Sequence, residues 1–433
     1  MSTQILEPSE PTAAATPVPA AAPRQKRQRK RRLGNRPIFR VMQLSHRWLA
    51  LILGLLLLVI TVTGSVLVFK SEIQHVAHPT LFHKSDGKPV GFQRAIDAVH
   101  ATDPAFTATY VQIAEGRYYL SDDDSKTFVL DAATGHVNGT YNPQKGIFGF
   151  IDNLHECGLG CENYTGYIAA LNKPIGGIFG KELTWSGLLL GVLGLLLGIL
   201  VISGMVVWWP GIRSIARGFK IRRGASKYKF NYDLHKVVGI VALPFLAVWA
   251  LTGAGFELPF VANAWYAALP GSAPAEPEPA KSAPRHSATP ISLDDVVTVA
   301  AKAVPNGHTV GFTPADPSDK TSVWDVWVSS DNDPYDHGMY PGDKEVAVDQ
   351  FSGKTTLLYG APGSTDTVAE DLWEHWNYPI HAGTPVNGWW RTGWLIFGMT
   401  PVLLAITGVT TWWIRRGKAK AKKQRRKAAA AVA

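Results

Sequence analysis

Four long stretches without a charged residue constrain this chain more than any other feature. They are residues 49–69, 183–209, 237–256 and 392–414. A helix rises about 1.5 Å per residue, so about 20 apolar residues cross the hydrocarbon core of a bilayer. The sequence therefore predicts four transmembrane helices. The first stretch is too long for the core of a signal peptide, and we expect it to stay as an anchor.

Histidines mark the starts of the first and third stretches. His46 precedes the first and His235 precedes the third. Each is followed 17 residues later by a Thr-Gly pair, at Thr63 (63 − 46 = 17) and at Thr252 (252 − 235 = 17). The second and fourth stretches also share a pattern, a Ser-Gly or Thr-Gly pair followed by two adjacent tryptophans. The chain is therefore predicted to be a tandem repeat of two-helix units, and the even number of spans in each unit gives the units parallel topology.

The basic residues indicate which ends of these helices face the cytoplasm. The formal net charge is +9, and the basic residues cluster in 24–32, 213–229 and 415–427, each beside an apolar stretch. Under the positive-inside rule, both termini and the middle loop are cytoplasmic. The alternative is a solvated arm that binds nucleic acid. We expect no nucleic-acid partner, because the positive charge is not spread over a folded domain.

The segments between the helices have the mixed composition of globular inserts. Each is predicted to contain an amphipathic helix followed by antiparallel strands, with turns of one plan at 131–135 and 349–353. The fold class is thus an α-helical membrane protein with four transmembrane helices, as a tandem two-helix repeat, and two exported α+β inserts. The predicted order is a disordered basic tail (1–38), helix 1 (41–69), insert 1 (70–182), helix 2 (183–209), a basic loop (210–231), helix 3 (232–256), insert 2 (257–388), helix 4 (389–415) and a basic tail (416–433).

Four histidines are predicted to divide into two pairs, one on each side of the membrane. His46 and His235 lie at the predicted cytoplasmic ends of helices 1 and 3, whereas His155 and His381 lie outside, ahead of helices 2 and 4. A b-type haem with two histidine ligands needs neutral imidazoles opposed across its iron. The sequence therefore predicts two haem b groups, an inner one held by His46 and His235 and an outer one held by His155 and His381. Each histidine could instead be an interfacial polar anchor, and His375 is an alternative to His381.

Glycines occur at the levels of both predicted haems. Gly64 and Gly253 lie about 25 Å along their helices from the inner histidines, whereas Gly204 and Gly408 lie near the inner ends of helices 2 and 4. A flat macrocycle packed against a helix backbone needs residues without a Cβ, so all four are predicted to pack against haem. The alternative is that small residues only let the helices approach each other.

Other residues near these ends have predicted supporting roles. Arg47, Lys236 and Arg391 are candidate partners for haem propionates, although basic side chains near helix ends also snorkel to the interface. Cys157 and Cys161 lie beside His155 in an exported insert, a location that favours a disulfide. Their spacing is not the Cys-x-x-Cys-His of covalent haem attachment. A redox-active cysteine pair remains the alternative.

These motifs together resemble the PepSY-associated transmembrane family. The likeness spans about residues 40–416, and the inserts resemble PepSY domains through Ile291-Ser-Leu-Asp-Asp and the Asp-x-x-[Ser/Thr]-Gly turns. The matching helix motifs are Leu44-Ser-His46-Arg-Trp48 with Thr63-Gly64, Asp233-Leu-His235-Lys with Leu251-Thr-Gly253, Leu154-His155, Pro379-Ile-His381-Ala-Gly, and Ile406-Thr-Gly408 running into Trp412-Trp413.

The resemblance implies a multi-pass protein of the bacterial inner membrane that serves iron acquisition. Its characterised type is a di-haem ferric-siderophore reductase. We accordingly expect an unidentified cytoplasmic or membrane donor to supply electrons at the inner haem, and a ferric siderophore to accept them at the outer haem. No catalytic residue is expected beyond the haem ligands. The alternatives are a non-enzymatic protein that binds or inhibits an exported peptidase, and a transporter that relays protons through intramembrane histidines.

Overall fold

The computed structural model describes most of the chain from residue 37 onward. The described residues are 37–176, 183–224, 226–270, 280–283, 289–330, 333, 342–359, 368–370, 372–373, 376–386 and 388–432. The predicted disordered tail 1–38 therefore lies almost wholly outside them.

The helices divide into those that form an apolar bundle and those that flank the bundle or the sheet. The helices of the bundle are α1 (Pro37–Ile52), α2 (Gly54–Leu67), α6 (Trp185–Trp208), α8 (Lys227–Glu257), α13 (Gly388–Gly398) and α14 (Thr400–Val432). The flanking helices are α3 (Lys70–Ala77), α4 (Phe92–Thr102), α5 (Gly146–Glu156), α7 (Ile215–Gly218), α9 (Pro259–Ala268), α10 (Leu293–Lys302), α11 (Val368–Glu370) and α12 (Asn377–Ala382).

Among the described residues, three helical segments are long and apolar enough to cross a membrane. They are Trp185–Trp208, Lys227–Glu257 and Gly388–Ala431, and the bent pair α1 and α2 makes a fourth if it counts as one span. The sequence predicted one helix over 41–69. The structure instead bends by 68° between α1 and α2. Gly54 begins α2 with open space around its Cβ position, and sharp kinks in helices commonly occur at glycine.

Two other helices also differ from the predictions in their limits. Helix α8 begins at Lys227, five residues before the predicted start at 232, and contains Pro244. The fourth predicted helix is divided into α13 and α14, and α14 continues to Val432 instead of ending near residue 415. Its last part is rich in alanine, lysine and arginine, which are strong helix formers.

One antiparallel sheet contains the eight strands found among the described residues. Its order is β4-β3-β2-β1-β5-β6-β7-β8. The strands are β1 (Tyr110–Ala114), β2 (Arg117–Ser121), β3 (Thr127–Asp131), β4 (Val137–Tyr141), β5 (His308–Thr313), β6 (Val323–Ser329), β7 (Lys344–Asp349) and β8 (Thr355–Tyr359). The inserts were predicted from sequence as separate units, but β1 pairs with β5 through Val111 with Phe312 and Gln112 with Gly311.

A single hydrophobic core joins the two inserts. Helices α4 and α10 pack together on one face of the sheet, and their buried Phe92 and Val296 belong to one cluster with Val111 and Phe312. The rings of Phe92 and Phe312 meet edge to face with centroids 5.3 Å apart. The two inserts therefore form one folded body in which a side chain from one half packs directly on a side chain from the other.

The two predicted turns have matching hydrogen bonds. The Oδ1 atom of Asp131 accepts from the backbone N–H groups of Ala133 and Thr134. Asp349 does the same for Phe351 and Ser352. An aspartate that caps its own turn in this way stabilises a tight connection between neighbouring strands.

Candidate functional site

The first histidine pair, His46 and His235, is called the loop-side pair because both residues lie toward the basic loop 210–226. His46 belongs to α1 and His235 to α8, which are distant in sequence but adjacent in the bundle. Their ring centroids are 6.3 Å apart, and the ring planes are nearly perpendicular at 84°. The structure thus brings together the two residues that the sequence assigned to one site.

The second pair, His155 and His381, is called the sheet-side pair. His155 lies in the last turn of α5 and His381 in α12, and their ring centroids are 6.2 Å apart with planes at 44°. His155 lies 28 residues before Leu183, where the second apolar stretch begins, yet α5 folds back against α2 and carries the ring to His381. His375, the alternative to His381, lies outside the described residues.

The two pairs lie at opposite ends of the bundle. Helix α8 provides His235 at one end, and 17 residues later (252 − 235 = 17) Thr252 contacts His381 at the other end. Seventeen residues of helix span about 25 Å, close to the thickness of the hydrocarbon core.

In the loop-side pair, each imidazole is held through its Nδ1 atom by the other helix of its own half of the chain. The Nδ1 of His46 lies 3.1 Å from the Leu200 carbonyl oxygen and 3.1 Å from Ser203 Oγ, both on α6. The Nδ1 of His235 lies 3.1 Å from the Leu404 carbonyl oxygen and 2.9 Å from Thr407 Oγ1, both on α14.

The sheet-side pair is held in a similar way. The Nδ1 of His155 lies 2.9 Å from the Ile60 carbonyl oxygen and 3.3 Å from Thr63 Oγ1, both on α2. The Nδ1 of His381 lies 2.7 Å from Thr252 Oγ1 on α8. In all four cases the contact is made by the side chain that precedes the glycine of a Ser-Gly or Thr-Gly pair.

These contacts determine which ring nitrogen carries the proton. A carbonyl oxygen can only accept, so the Nδ1 atoms of His46, His235 and His155 must donate. The four hydroxyls also lie within hydrogen-bond distance of the carbonyl oxygen four residues earlier in their own helices, at 2.6 to 2.9 Å. A hydroxyl that donates there is left as an acceptor for Nδ1–H. Each ring therefore retains an unprotonated Nε2, the form that binds metal.

The spacing within each pair fits an iron held between two imidazoles. A metal–nitrogen bond of roughly 2.0 Å, plus about 1.1 Å from nitrogen to ring centre on each side, places the two centroids about 6.2 Å apart. The observed separations are 6.3 and 6.2 Å. Within the described part of the chain, no group of three His, Cys, Asp or Glu side chains could hold a bare ion. Two imidazoles suit a metal whose remaining ligands come with it, as in haem.

The four predicted glycines contact the imidazole rings. A Cβ added at Gly204 or Gly408 would lie 3.2 or 3.4 Å from the Cε1 atom of the nearer loop-side histidine. A Cβ at Gly64 would lie 2.8 Å from Nε2 of His155, and one at Gly253 would lie 3.6 Å from Cε1 of His381. Packing against haem stays a prediction. The contacts that the structure shows give these glycines a separate role, which is to leave room for the ring of a histidine.

The three basic residues predicted as propionate partners differ in their contacts. Arg391 is buried, pairs with Glu72 on α3 at 2.5 Å and donates to the Val68 carbonyl. Lys236 lies 3.7 Å from the Asp233 carboxylate. The guanidinium of Arg47 lies over the Trp48 ring, and its buried Nε atom has no hydrogen-bond partner among the described residues. The contact with a propionate stays a prediction for all three.

Cys157 and Cys161 form a disulfide immediately after His155. It closes a short loop against the start of α6, where Gly158 and Gly160 lie so close to Ser186 that a Cβ would meet it at 3.2 and 2.9 Å. The buried Asn153 side chain also accepts from the Cys161 N–H. The disulfide therefore lies where it limits movement of the segment that carries His155.

A buried ion pair lies beside the same segment. Lys70 at the start of α3 pairs with Asp152 on α5 at 2.5 Å, and both side chains are almost fully buried. Burial, together with the negative charge of Asp152, raises the pKa of Glu156 to about 7 against the opposing effect of Lys70. Helix α5 is thus fastened by a charge pair before His155 and by a disulfide after it.

Aromatic side chains lie between the two histidine pairs. Phe245 on α8 stacks on Phe397 on α13 with ring centroids 3.8 Å apart, ten residues along α8 from His235. Trp394 and Trp249 continue the cluster, and both indole N–H groups donate to the His381 carbonyl at 2.9 and 3.1 Å. No prediction from the sequence included this cluster. The hydroxyls that hold the imidazoles were also missed, although their pairing with glycine was visible.

Most of the chain matches the model of a protein family. The family model described as PepSY-associated TM region matches residues 43–415, which is most of the chain. No curated protein matches. The matched region contains all four paired histidines, the cysteine pair and the four Ser-Gly or Thr-Gly motifs described above.

Proposed function

Since the chain belongs to the PepSY-associated TM region family and is a membrane protein, we propose that it is a di-haem b protein that reduces ferric iron held by a siderophore. The proposed location is the bacterial inner membrane, with both termini and the basic loop in the cytoplasm and the sheet outside. The proposed architecture is four spans arranged as a tandem repeat of two-helix units.

The observation that carries this proposal is the duplicated geometry of the histidines. Two imidazole pairs have centroid separations of 6.3 and 6.2 Å, and every Nδ1 is turned toward a helix acceptor. A histidine that serves only as an interfacial anchor needs no partner ring at this distance. Two such pairs about 25 Å apart along one helix suit transfer of charge from one membrane face to the other.

The residues of the chain have distinct tasks in this function. His46 and His235 would hold the inner haem, and His155 and His381 the outer haem. When bound, haem supplies an iron centre that carries one electron at a time. The hydroxyl and carbonyl acceptors keep each ring in the tautomer that exposes Nε2. Phe256 packs against the ring of His381 with centroids 5.2 Å apart, and apolar surroundings influence the potential of a bound metal.

The sheet side is the face where an imported ferric chelate would arrive, and the loop side faces the cytoplasmic reductant. Reduction would release iron because a chelator with hard oxygen donors binds Fe(II) far less well than Fe(III). The electron donor on the loop side would be a cytoplasmic or membrane component. The remaining surface of the bundle, which is apolar and exposed, would contact lipid.

The test begins with the absorption spectrum of the purified protein in detergent. We expect a Soret band with sharp α and β bands on reduction, and two haems per chain. The chemically reduced protein should then be reoxidised under anaerobic conditions by a ferric siderophore, with Fe(II) captured by ferrozine. His381→Ala should block this transfer, whereas the control His136→Ala, at an exposed position of the inserts, should not. A colourless protein would exclude the haem proposal. A haem-loaded protein that no ferric chelate reoxidises would exclude the reductase.

A further inference from the structure

The four imidazoles differ in the hydrogen-bond partners of their Nδ1 atoms. For His46, His235 and His155, the Nδ1 atom lies within 3.1 Å of a backbone carbonyl oxygen as well as near a hydroxyl. For His381, the hydroxyl of Thr252 at 2.7 Å is the one hydrogen-bond partner of Nδ1 in the described part of the chain. The loss of a hydroxyl therefore leaves three of the rings with an acceptor and leaves His381 with none.

We propose that Thr252 is the positioning residue of the outer site. It fixes the Nδ1–H tautomer of His381 and so determines that Nε2 faces His155. The other three hydroxyls support orientations that backbone carbonyls already determine. This inference rests on the proposed function only in identifying haem as the group that Nε2 binds.

Loss of the Thr252 hydroxyl should affect the ring of His381 and leave its backbone in place, because other residues hold the backbone. The His381 carbonyl accepts hydrogen bonds from Trp249 and Trp394 on two different helices. Helix α12 ends at Gly383, whose positive φ of 80° terminates the helix, and a Cβ at Gly383 would collide with Trp394. The backbone therefore stays in place without the Thr252 hydroxyl. The ring, which Phe256 contacts edge to face with centroids 5.2 Å apart, then loses the acceptor of its Nδ1–H and can exchange its tautomer, which moves the lone pair from Nε2 to Nδ1.

Thr252 also couples His381 to the helix that holds the opposite site. Its hydroxyl lies 2.8 Å from the Val248 carbonyl oxygen, so the hydrogen bond to the helix and the one to the ring form a continuous chain. Because α8 also provides His235, one helix holds a ligand at one end and orients a ligand at the other. The rise of the helix thereby sets the distance between the two sites.

The experiment compares Thr252→Ala with Thr252→Ser and with the matched pair Thr407→Ala and Thr407→Ser. Thr407 holds His235 in the same way, but Leu404 provides a second acceptor. The first readout is the rate of haem loss from each site to excess apomyoglobin. We expect Thr252→Ala to accelerate loss from the outer site about 10- to 100-fold, the range typical of lost outer-shell partners. Thr252→Ser should stay close to wild type, and Thr407→Ala should accelerate haem loss from the inner site less than Thr252→Ala does from the outer site.

The second readout does not depend on haem. Nitrogen-15 NMR of histidine in the haem-free protein distinguishes the two neutral tautomers. His381 should be protonated on Nδ1 in the wild type and in Thr252→Ser, and should shift toward Nε2 protonation in Thr252→Ala. The inference is overturned if Thr252→Ala loses haem no faster than Thr407→Ala, or if wild-type His381 carries its proton on Nε2. A wild type that binds no haem would overturn the proposed function, while the NMR result would still decide the role of Thr252.

Discussion

A methyl group at position 64 should remove the outer haem and spare the inner one. Gly64 lies on α2 directly against the ring of His155, and an added Cβ would lie 2.8 Å from Nε2, the nitrogen proposed to bind iron. The same Cβ would overlap Cε1 of His155 more deeply. Non-bonded atoms need about 3.5 Å, so the ring must move by at least roughly 0.7 Å. Metal–ligand bonds tolerate about 0.2 Å. Gly64→Ala should therefore break the bond between His155 and iron.

Gly253→Ala provides the matched control within the same site. Its Cβ would lie 3.6 Å from Cε1 of His381, an ordinary van der Waals distance. Both glycines lie inside long helices, where alanine is favoured over glycine by about 1 kcal/mol. Gly253→Ala should therefore keep both haems and raise the melting temperature slightly. The two substitutions are chemically identical, and only the distance to the facing ring separates them.

The assay is the haem content per chain by pyridine haemochrome, combined with a reductive titration that resolves the two centres. We expect two haems in the wild type and in Gly253→Ala, and one in Gly64→Ala. Gly204→Ala and Gly408→Ala, with Cβ distances of 3.2 and 3.4 Å, should fall between these limits at the inner site. If Gly64→Ala keeps two haems with an unchanged spectrum, the placement of His155 as a ligand is wrong. Equal losses in Gly64→Ala and Gly253→Ala would refute the argument from distance.

Three further outcomes follow from the loop-side pair, the disulfide and the buried carboxyl. His46→Ala or His235→Ala should each remove one haem and leave the other, which the haem content per chain will show; a full complement in either variant would contradict the pairing. Replacing Cys157 and Cys161 by serine should cost about 2 kcal/mol of stability, from the closure of a five-residue loop, and should lower the melting temperature; an unchanged value would mean that the disulfide does not constrain this segment. The pKa of Glu156 is raised to about 7 by burial, so the folded protein binds a proton more tightly than the unfolded chain, and stability should fall as pH rises from about 4.5 to 7; Glu156→Gln should flatten this dependence relative to the wild type in melting curves across that range.

The pairing of His46 with His235 could be predicted from sequence because helical geometry links spacing to position. Equal separations of 17 residues from each histidine to a Thr-Gly pair indicate that the two apolar stretches repeat one arrangement, although α1 and α2 are bent between His46 and Thr63. The structure shows the rings together, as that spacing indicates. The binding of haem between them stays a prediction, since the sequence and the structure both describe the protein alone.

Other features depend on contacts that spacing does not encode. His155 reaches His381 only because α5 folds against α2, and no periodicity in the sequence predicts that contact. The bend at Gly54 was missed because a single glycine in an apolar stretch has little effect on hydropathy. The role of Thr252 was missed because it depends on Nδ1 of His381 having no carbonyl acceptor among the described residues, which only the three-dimensional arrangement shows.

The pairing of β1 with β5 has a consequence for how the protein is made. Val111 and Phe312 are 201 residues apart (312 − 111 = 201), so β1 is synthesised long before the strand that covers its edge. At about 5 to 20 residues per second, translation leaves that edge open for roughly 10 to 40 s. During this time the first insert presents unpaired backbone groups and an incomplete apolar core, a combination that promotes association with other chains. The second and third membrane segments must also be inserted before the edge is covered. The sheet can therefore be completed only late in synthesis. A chain arrested before β5 should be a preferred target for the chaperones and proteases of its compartment.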